Sequence, residues 1–165
     1  FLGNIAEDDF RVFIGERFKA IGIKVEEAAF KRILAETDAI PYYVQYLCSF
    51  LWNKCREGAK LTAEFVYETA VHIADTQAPF YMGILEHIPL KQRRLLQVVA
   101  QNPAGKLYSR EIAEMYKLGP LSTVQVSAGL LLKKGILEKE NGGYVFSDPF
   151  LRIWVLKNIG SLGKT

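Results

Sequence analysis

The feature that most constrains the fold is the dipeptide Asn141-Gly142, which lies between two short apolar runs. Residues Ile136 to Glu140 precede it and predict a strand, and Tyr144-Val145-Phe146 predict the returning strand. Asn-Gly between such runs favours a two-residue hairpin, because both turn positions then adopt positive φ. The C-terminal part of the chain is therefore predicted to carry a two-stranded wing.

Three helices are predicted before this wing. The first begins at Pro89 and is broken by Asn102-Pro103-Ala104-Gly105, and the second runs from Arg110 to Lys117 behind the N-cap Ser109. After the turn Leu118-Gly119-Pro120, the third begins at Ser122 and ends at Gly135. Its start is predicted from an S-x-x-Q capping box, Ser122 with Gln125, and from Leu121 and Val126 at the positions of a hydrophobic staple.

A last helix follows the wing, since Asp148-Pro149 is an N-cap followed by a first-turn proline. Three helices with a tight turn before the third, followed by a hairpin, predict a winged helix-turn-helix domain over residues 89–160. Residues 161–165 are left as a tail.

The first half predicts a helical bundle over residues 1–80, with a connecting helix over 81–88. A capping box, Asn4 to Glu7, opens a helix with Phe10, Phe13, Ile14 and Phe18 at helical spacing, which Gly22 ends. Further helices are predicted around Val25–Thr37 (inner side Ala28, Ala29, Ile33 and Leu34), from Pro41 to near Gly58, from the N-cap Thr62, and from Ala78 to His87. No strand is predicted before residue 105, so the fold class is mainly α.

The charge is divided unevenly along the chain. Residues 1–87 hold 9 Lys and Arg against 13 Asp and Glu, whereas residues 88–165 hold 12 against 5. A basic half joined to an acidic half indicates two domains with different partners. Apolar runs are all interrupted by charges, and no secretory signal is visible, which predicts a cytoplasmic protein with no membrane partner. The chain opens with Phe1, and we expect it to be cut from a longer protein.

Motifs for catalysis and metal binding are missing from the sequence. It contains no G-x-x-x-x-G-K-[ST] phosphate loop, no G-x-S-x-G elbow and no H-E-x-x-H. Cys48 and Cys55 are about 10 Å apart on one helix, too far for a disulfide, and are predicted to be reduced. His72 and His87 have no partners at metal-ligand spacing. The chain alone is therefore predicted not to be an enzyme and to hold no metal or cofactor.

The winged helix leaves two kinds of partner open. Candidate contacts to double-stranded DNA are the basic and polar side chains Arg110, Lys117, Thr123, Gln125, Lys133, Lys134 and Lys139. The third helix of the domain offers few base-reading groups, however, and Val126 and Leu130 are predicted on its exposed face, which favours docking on protein. A free-standing transcription regulator fits less well, because the first half shows no dimer seam.

The order of these features resembles the C-terminal half of the prokaryotic, archaeal-type AAA+/STAND P-loop ATPases. The matching segments cover most of the chain: Phe13-Ile14 with Phe18, Pro41-Tyr42-Tyr43-Val44-Gln45, Trp52, Gln92 to Leu96, Leu131 to Leu137, and Tyr144 to Phe150 with Trp154. The most specific is Phe-x-Asp-Pro-Phe with a following Trp. The opening Phe1 to Ile5 also resembles the segment that follows such a core.

The resemblance implies a regulatory fragment: residues 1–80 would be the lid of a nucleotide-binding core that precedes them in the same protein. ATP and Mg²⁺ would then bind the parent protein, with Ile40, Pro41, Tyr42 and Tyr43 near the adenine. Related lids often carry an arginine there that reaches the phosphates, and this chain departs from that pattern.

Overall fold

The computed structural model describes residues 7–103, 105, 107 and 109–158. The chain divides into two compact units, residues 1–73 and 74–165. The capping box expected at Asn4 lies outside the described residues, since Glu7 is the first of them.

Four helices build the first unit: α1 (Glu7–Lys19), α2 (Glu27–Glu36), α3 (Pro41–Lys54) and α4 (Ala63–Thr76), the last ending just beyond the boundary. The sequence predicts how they start. Pro41 is the first residue of α3, where its missing N–H costs no hydrogen bond. The Thr62 Oγ1 accepts from the Phe65 N–H at 3.3 Å and so caps α4 as predicted.

The core of this unit is built from apolar side chains at helical spacing. Burying each large one contributes about 1.5–3 kcal/mol. Those that are buried are Phe10, Ile14, Phe18, Ala29, Phe30, Ile33, Val44, Leu47, Leu51, Val66, Ala70 and Ile73. The predicted inner side of α2 was partly wrong: Ala28 is exposed and Leu34 half-buried. Phe30 takes the inner position instead, because α2 begins at Glu27 and the stripe runs through residues 29, 30 and 33.

The prediction that no strand precedes residue 105 is wrong. Strand β1 (Lys24–Val25) pairs in parallel with β2 (Lys60–Leu61). Each strand is only two residues long, so it carries no alternating pattern that could reveal it. Gly22 lies before β1 and Gly58 before β2, both with positive φ, and they turn the chain out of α1 and away from the end of α3.

The second unit is a winged helix preceded by a short helix, α5 (Ala78–Glu86). Its helices are α6 (Leu90–Gln101), α7 (Arg110–Met115) and α8 (Leu121–Lys133), its wing is β3 (Leu137–Glu140) with β4 (Gly143–Phe146), and α9 (Pro149–Lys157) follows. This confirms the predicted fold class. The Ser109 Oγ accepts from the Ile112 N–H at 3.1 Å, and Lys117 lies beyond the end of α7 at a φ of 52°.

The wing turns at Asn141-Gly142 as predicted. Glu140 pairs with Gly143 across the turn, and the φ angles of the two turn residues are 48° and 80°. Two positive φ angles define the hairpin turn whose twist matches that of paired strands. The predicted N-cap of α9 is confirmed too, because the Asp148 Oδ1 accepts from the N–H groups of Phe150 and Leu151 at 2.9 and 3.3 Å.

The predicted capping box at the start of α8 is wrong. The helix begins one residue earlier, at Leu121, with Pro120 in the extended N-cap position and no side-chain cap. Ser122 therefore lies inside the first turn and cannot cap it. Leu121 and Val126 are 40% and 63% exposed, so the predicted staple does not form either. The fixed φ of Pro120, at −58°, sets this start.

Candidate functional site

Helix α8 presents two surfaces to solvent. Its buried side is Val124, Ala128 and Leu131, as predicted, together with Ser127. Ser122, Gln125, Gly129 and Lys133 are exposed at spacings of three and four residues and form what we call the polar stripe. Val126 and Leu130, 63% and 42% exposed, form a second line beside it, the apolar ridge.

A groove lies between α8 and the tip of the wing. Gln125 forms one wall, and the opposite wall, at the turn, comprises Lys139, Glu140, Asn141, Gly142, Gly143 and Tyr144. We call it the wing groove. The structure thus brings together two of the predicted DNA contacts, Gln125 and Lys139, from elements that are separate in sequence. In the sequence, Lys139 is flanked by the exposed residues Glu138 and Glu140. Their negative charges reduce the positive potential around Lys139.

The other predicted DNA contacts lie elsewhere on the domain. Lys133 and Lys134 are at the C-terminal end of α8, and the Lys134 Nζ donates to the His87 carbonyl oxygen at 3.4 Å. Thr123 is half-buried in the first turn of α8. Arg110 and Lys117 line a second groove beside the turn between α7 and α8, with Gly119 and Leu121.

Two basic residues that the sequence analysis missed lie at the same turn. The Arg94 Nη1 donates to the Lys117 carbonyl oxygen at 3.4 Å. The Lys91 Nζ lies 3.8 Å from the position that a Cβ atom on Gly119 would occupy. Their three-residue spacing on α6 is visible in the sequence and places both on one side of the helix. We define Lys91, Arg94 and Lys117 as the turn cluster.

In the first unit, the residues near the start of α3 expose an aromatic surface. Ile40 is the N-cap and is half-buried, like Pro41 and Tyr43, whereas Tyr42 is 67% exposed. The Tyr42 ring stacks on that of Tyr46, with centroids 6.2 Å apart and planes at 7°, and meets Tyr43 edge-on at 5.0 Å. Tyr46 extends the predicted set by one helical turn.

The two thiols are free. Cys48 lines a groove between α1 and α3 with Phe13, Arg17 and Trp52, and burial raises the pKa of its thiol to about 12. Burial also raises the pKa of Cys55. A thiol that stays protonated at neutral pH is a poor nucleophile. Among the described residues, no cluster of three or more His, Cys, Asp or Glu side chains is arranged to hold a metal ion.

The comparisons with known proteins agree with the fold of the second unit. Residues 79–157 match a family described as a probable winged helix domain. Neither the curated proteins nor the solved structures gave a match to the chain. Within the part of the chain that the structure describes, each helix is too short or too polar to cross a membrane.

Proposed function

We propose that the winged helix contacts double-stranded DNA through the polar stripe and the wing groove. The observation that supports this most directly is the meeting of Gln125 and Lys139 at the wing groove. An α-helix fits the major groove of DNA, and a wing beside it lies close to the sugar–phosphate backbone.

Gly129 adds a geometric reason. It lies in the middle of the polar stripe, and a Cβ atom at this position would meet nothing within 4 Å. The absence of a side chain lets a ligand approach the helix backbone closely. Gln125 is the only amide in the stripe, and Lys133 supplies its positive charge. We therefore infer a contact that is mainly electrostatic, with little dependence on base sequence.

A salt-dependent binding titration tests this proposal. Replacing Lys133 and Lys139 together (Lys133→Gln/Lys139→Gln) should weaken binding equally for unrelated duplexes. It should also reduce the salt slope, the steepness with which the logarithm of the binding constant falls with the logarithm of salt concentration, by roughly 0.9 for each lost phosphate contact. The matched control is Lys19→Gln/Lys54→Gln, which removes the same charge from exposed positions of the first unit. Equal slopes for both double variants would show that the stripe and wing do not touch DNA.

The apolar ridge favours a second function, docking on protein. Val126 and Leu130 are neighbours at i and i+4 on α8, and together they expose two large apolar side chains. On this proposal the ridge packs against the ATPase core of the same protein. Leu130→Asp would then place an unpaired carboxylate in the contact, and co-purification with a separately expressed core should be lost. If this face of α8 contacts DNA instead, the same variant weakens DNA binding and leaves the association with the core intact.

We also propose that the parent protein is a P-loop ATPase, on the strength of the sequence resemblance. Tyr42 is 67% exposed and stacks on the half-buried Tyr46, and an exposed aromatic ring of this kind can stack on a base. Residues 40–43 include no cation, so phosphates and Mg²⁺ would be held by the core. The chain alone should not turn over ATP above a heat-killed control. A G-x-x-x-x-G-K-[ST] motif in the coding sequence upstream of Phe1 would support the parent class, and a start codon at that point would overturn it.

A further inference from the structure

Three basic residues, Lys91, Arg94 and Lys117, lie at the turn between α7 and α8. Arg94 and Lys117 are 23 residues apart in sequence, yet the Arg94 guanidinium donates to the Lys117 carbonyl oxygen at 3.4 Å. The Lys91 amino group lies beside Gly119 in the same turn, 3.8 Å from the position of an added Cβ. Because two separate segments supply the cluster, it is a product of the tertiary fold rather than of a basic run in the sequence.

The positive charge of this turn cluster is not balanced by neighbouring acids. Arg110 and Glu114, in the adjoining groove, pair with each other, with the Arg110 Nε 3.0 Å from the Glu114 Oε1. Among the described residues, no carboxylate lies within ion-pair distance of Lys91, Arg94 or Lys117. Three like charges gathered at one turn repel each other, and an anion that binds there removes the repulsion.

The geometry of the turn favours a phosphate as that anion. Gly119 has no side chain to cover the Lys91 amino group, and its φ of 87° suits glycine. Helix α8 starts two residues later, so the positive end of its dipole adds to the field of the cluster. Arginine and lysine side chains near a helix N-terminus are a usual set of ligands for the phosphate groups of nucleic acids.

We propose that the turn cluster is a phosphate-binding site that holds the phosphodiester backbone of duplex DNA, as a contact separate from the polar stripe and the wing. This inference rests on the proposed DNA function. It adds Lys91 and Arg94 to the binding surface. Lys91 and Lys117 touch the phosphate, and Arg94 also positions the Lys117 backbone through its hydrogen bond.

The test is the double variant Lys91→Gln/Lys117→Gln. Glutamine keeps a side chain of similar length and leaves the Lys117 backbone, with its φ of 52°, under the same strain. Arg94 is left in place because its hydrogen bond supports the turn. Losing two phosphate contacts should lower the salt slope by roughly 1.8 and weaken binding about 30-fold near 0.15 M salt, for any duplex sequence.

The Lys19→Gln/Lys54→Gln and Lys133→Gln/Lys139→Gln variants are measured beside it, each with a circular dichroism melt to confirm folding. A lower slope for the turn variant, with the Lys19 and Lys54 control unchanged, supports the inference. If the turn variant has the same salt slope as the unaltered protein while the Lys133 and Lys139 variant has a lower one, the inference is overturned and the proposed function stands. If the unaltered protein does not bind duplex DNA at low salt, both fail. Inorganic phosphate that raises the melting temperature of the unaltered protein but not that of the turn variant, while the turn variant keeps the full salt dependence of DNA binding, would assign the cluster to a free phosphate ion and also overturn the inference.

Discussion

Asp148 joins two parts of the second unit through a single side chain. Its Oδ1 caps α9, while its Oδ2 accepts a hydrogen bond of 2.9 Å from the hydroxyl of Tyr81, which is fully buried on α5. The Tyr81 ring also meets that of Trp154, with centroids 6.1 Å apart. The Asp-Pro-Phe motif is thus more than a helix start, because its carboxylate also attaches the helix that leads into the winged helix.

Removing the Tyr81 hydroxyl should therefore destabilise the unit. Tyr81→Phe loses one charge-assisted hydrogen bond and is expected to cost about 1–2 kcal/mol, and Asp148→Ala should cost more because the N-cap is lost as well. Thermal unfolding followed by circular dichroism measures both. Tyr42→Phe is the control, since the exposed Tyr42 should change stability by less than about 0.5 kcal/mol. A Tyr81→Phe melt that coincides with the control would show that the hydrogen bond contributes nothing.

At the level of helices and strands, local rules predicted the elements whose signals are contained within a few residues. The Asn141-Gly142 turn, the Thr62 and Ser109 caps and the Asp148 cap all depend on neighbours in sequence, and all are confirmed. Strands β1 and β2 were missed because each is a two-residue pairing of distant segments. The start of α8 was misplaced because Pro120 and Ser122 offered competing signals, and the proline occupies the N-cap.

Two glycines of the winged helix should respond to alanine in opposite ways. Gly142 has a φ of 80° in the wing turn, so Gly142→Ala forces alanine into the left-handed region and should cost about 1 kcal/mol. Gly129 lies inside α8 with open space around its Cβ position, so Gly129→Ala should stabilise the unit by roughly 0.5–1 kcal/mol. Melting temperatures of the two variants measure the difference. Shifts of the same sign would show that one of these two glycines does not have the backbone conformation described here.

For the molecule as a whole, the candidate site was predictable only where one element supplies it. The exposed face of α8 followed from helical periodicity, and Val126 and Leu130 are indeed exposed there. The meeting of Gln125 with Lys139, and of Lys91 and Arg94 with Lys117, depends on how separate elements pack. Periodicity says which side of a helix is buried but not which loop lies beside it, so the turn cluster needed the structure.

Each of the two units has its own buried core, and this predicts independent folding. The second unit, including α5 to α9, has Tyr81, Leu95, Leu96, Phe146 and Phe150 among its buried side chains. A fragment of residues 77–165 should therefore keep its helical circular dichroism and unfold in one cooperative transition. The control is a fragment of residues 90–165, which loses Tyr81 and the hydrogen bond to Asp148 and should melt at a lower temperature. A fragment 77–165 with no cooperative transition would show that residues 1–76 are required for the winged helix to fold.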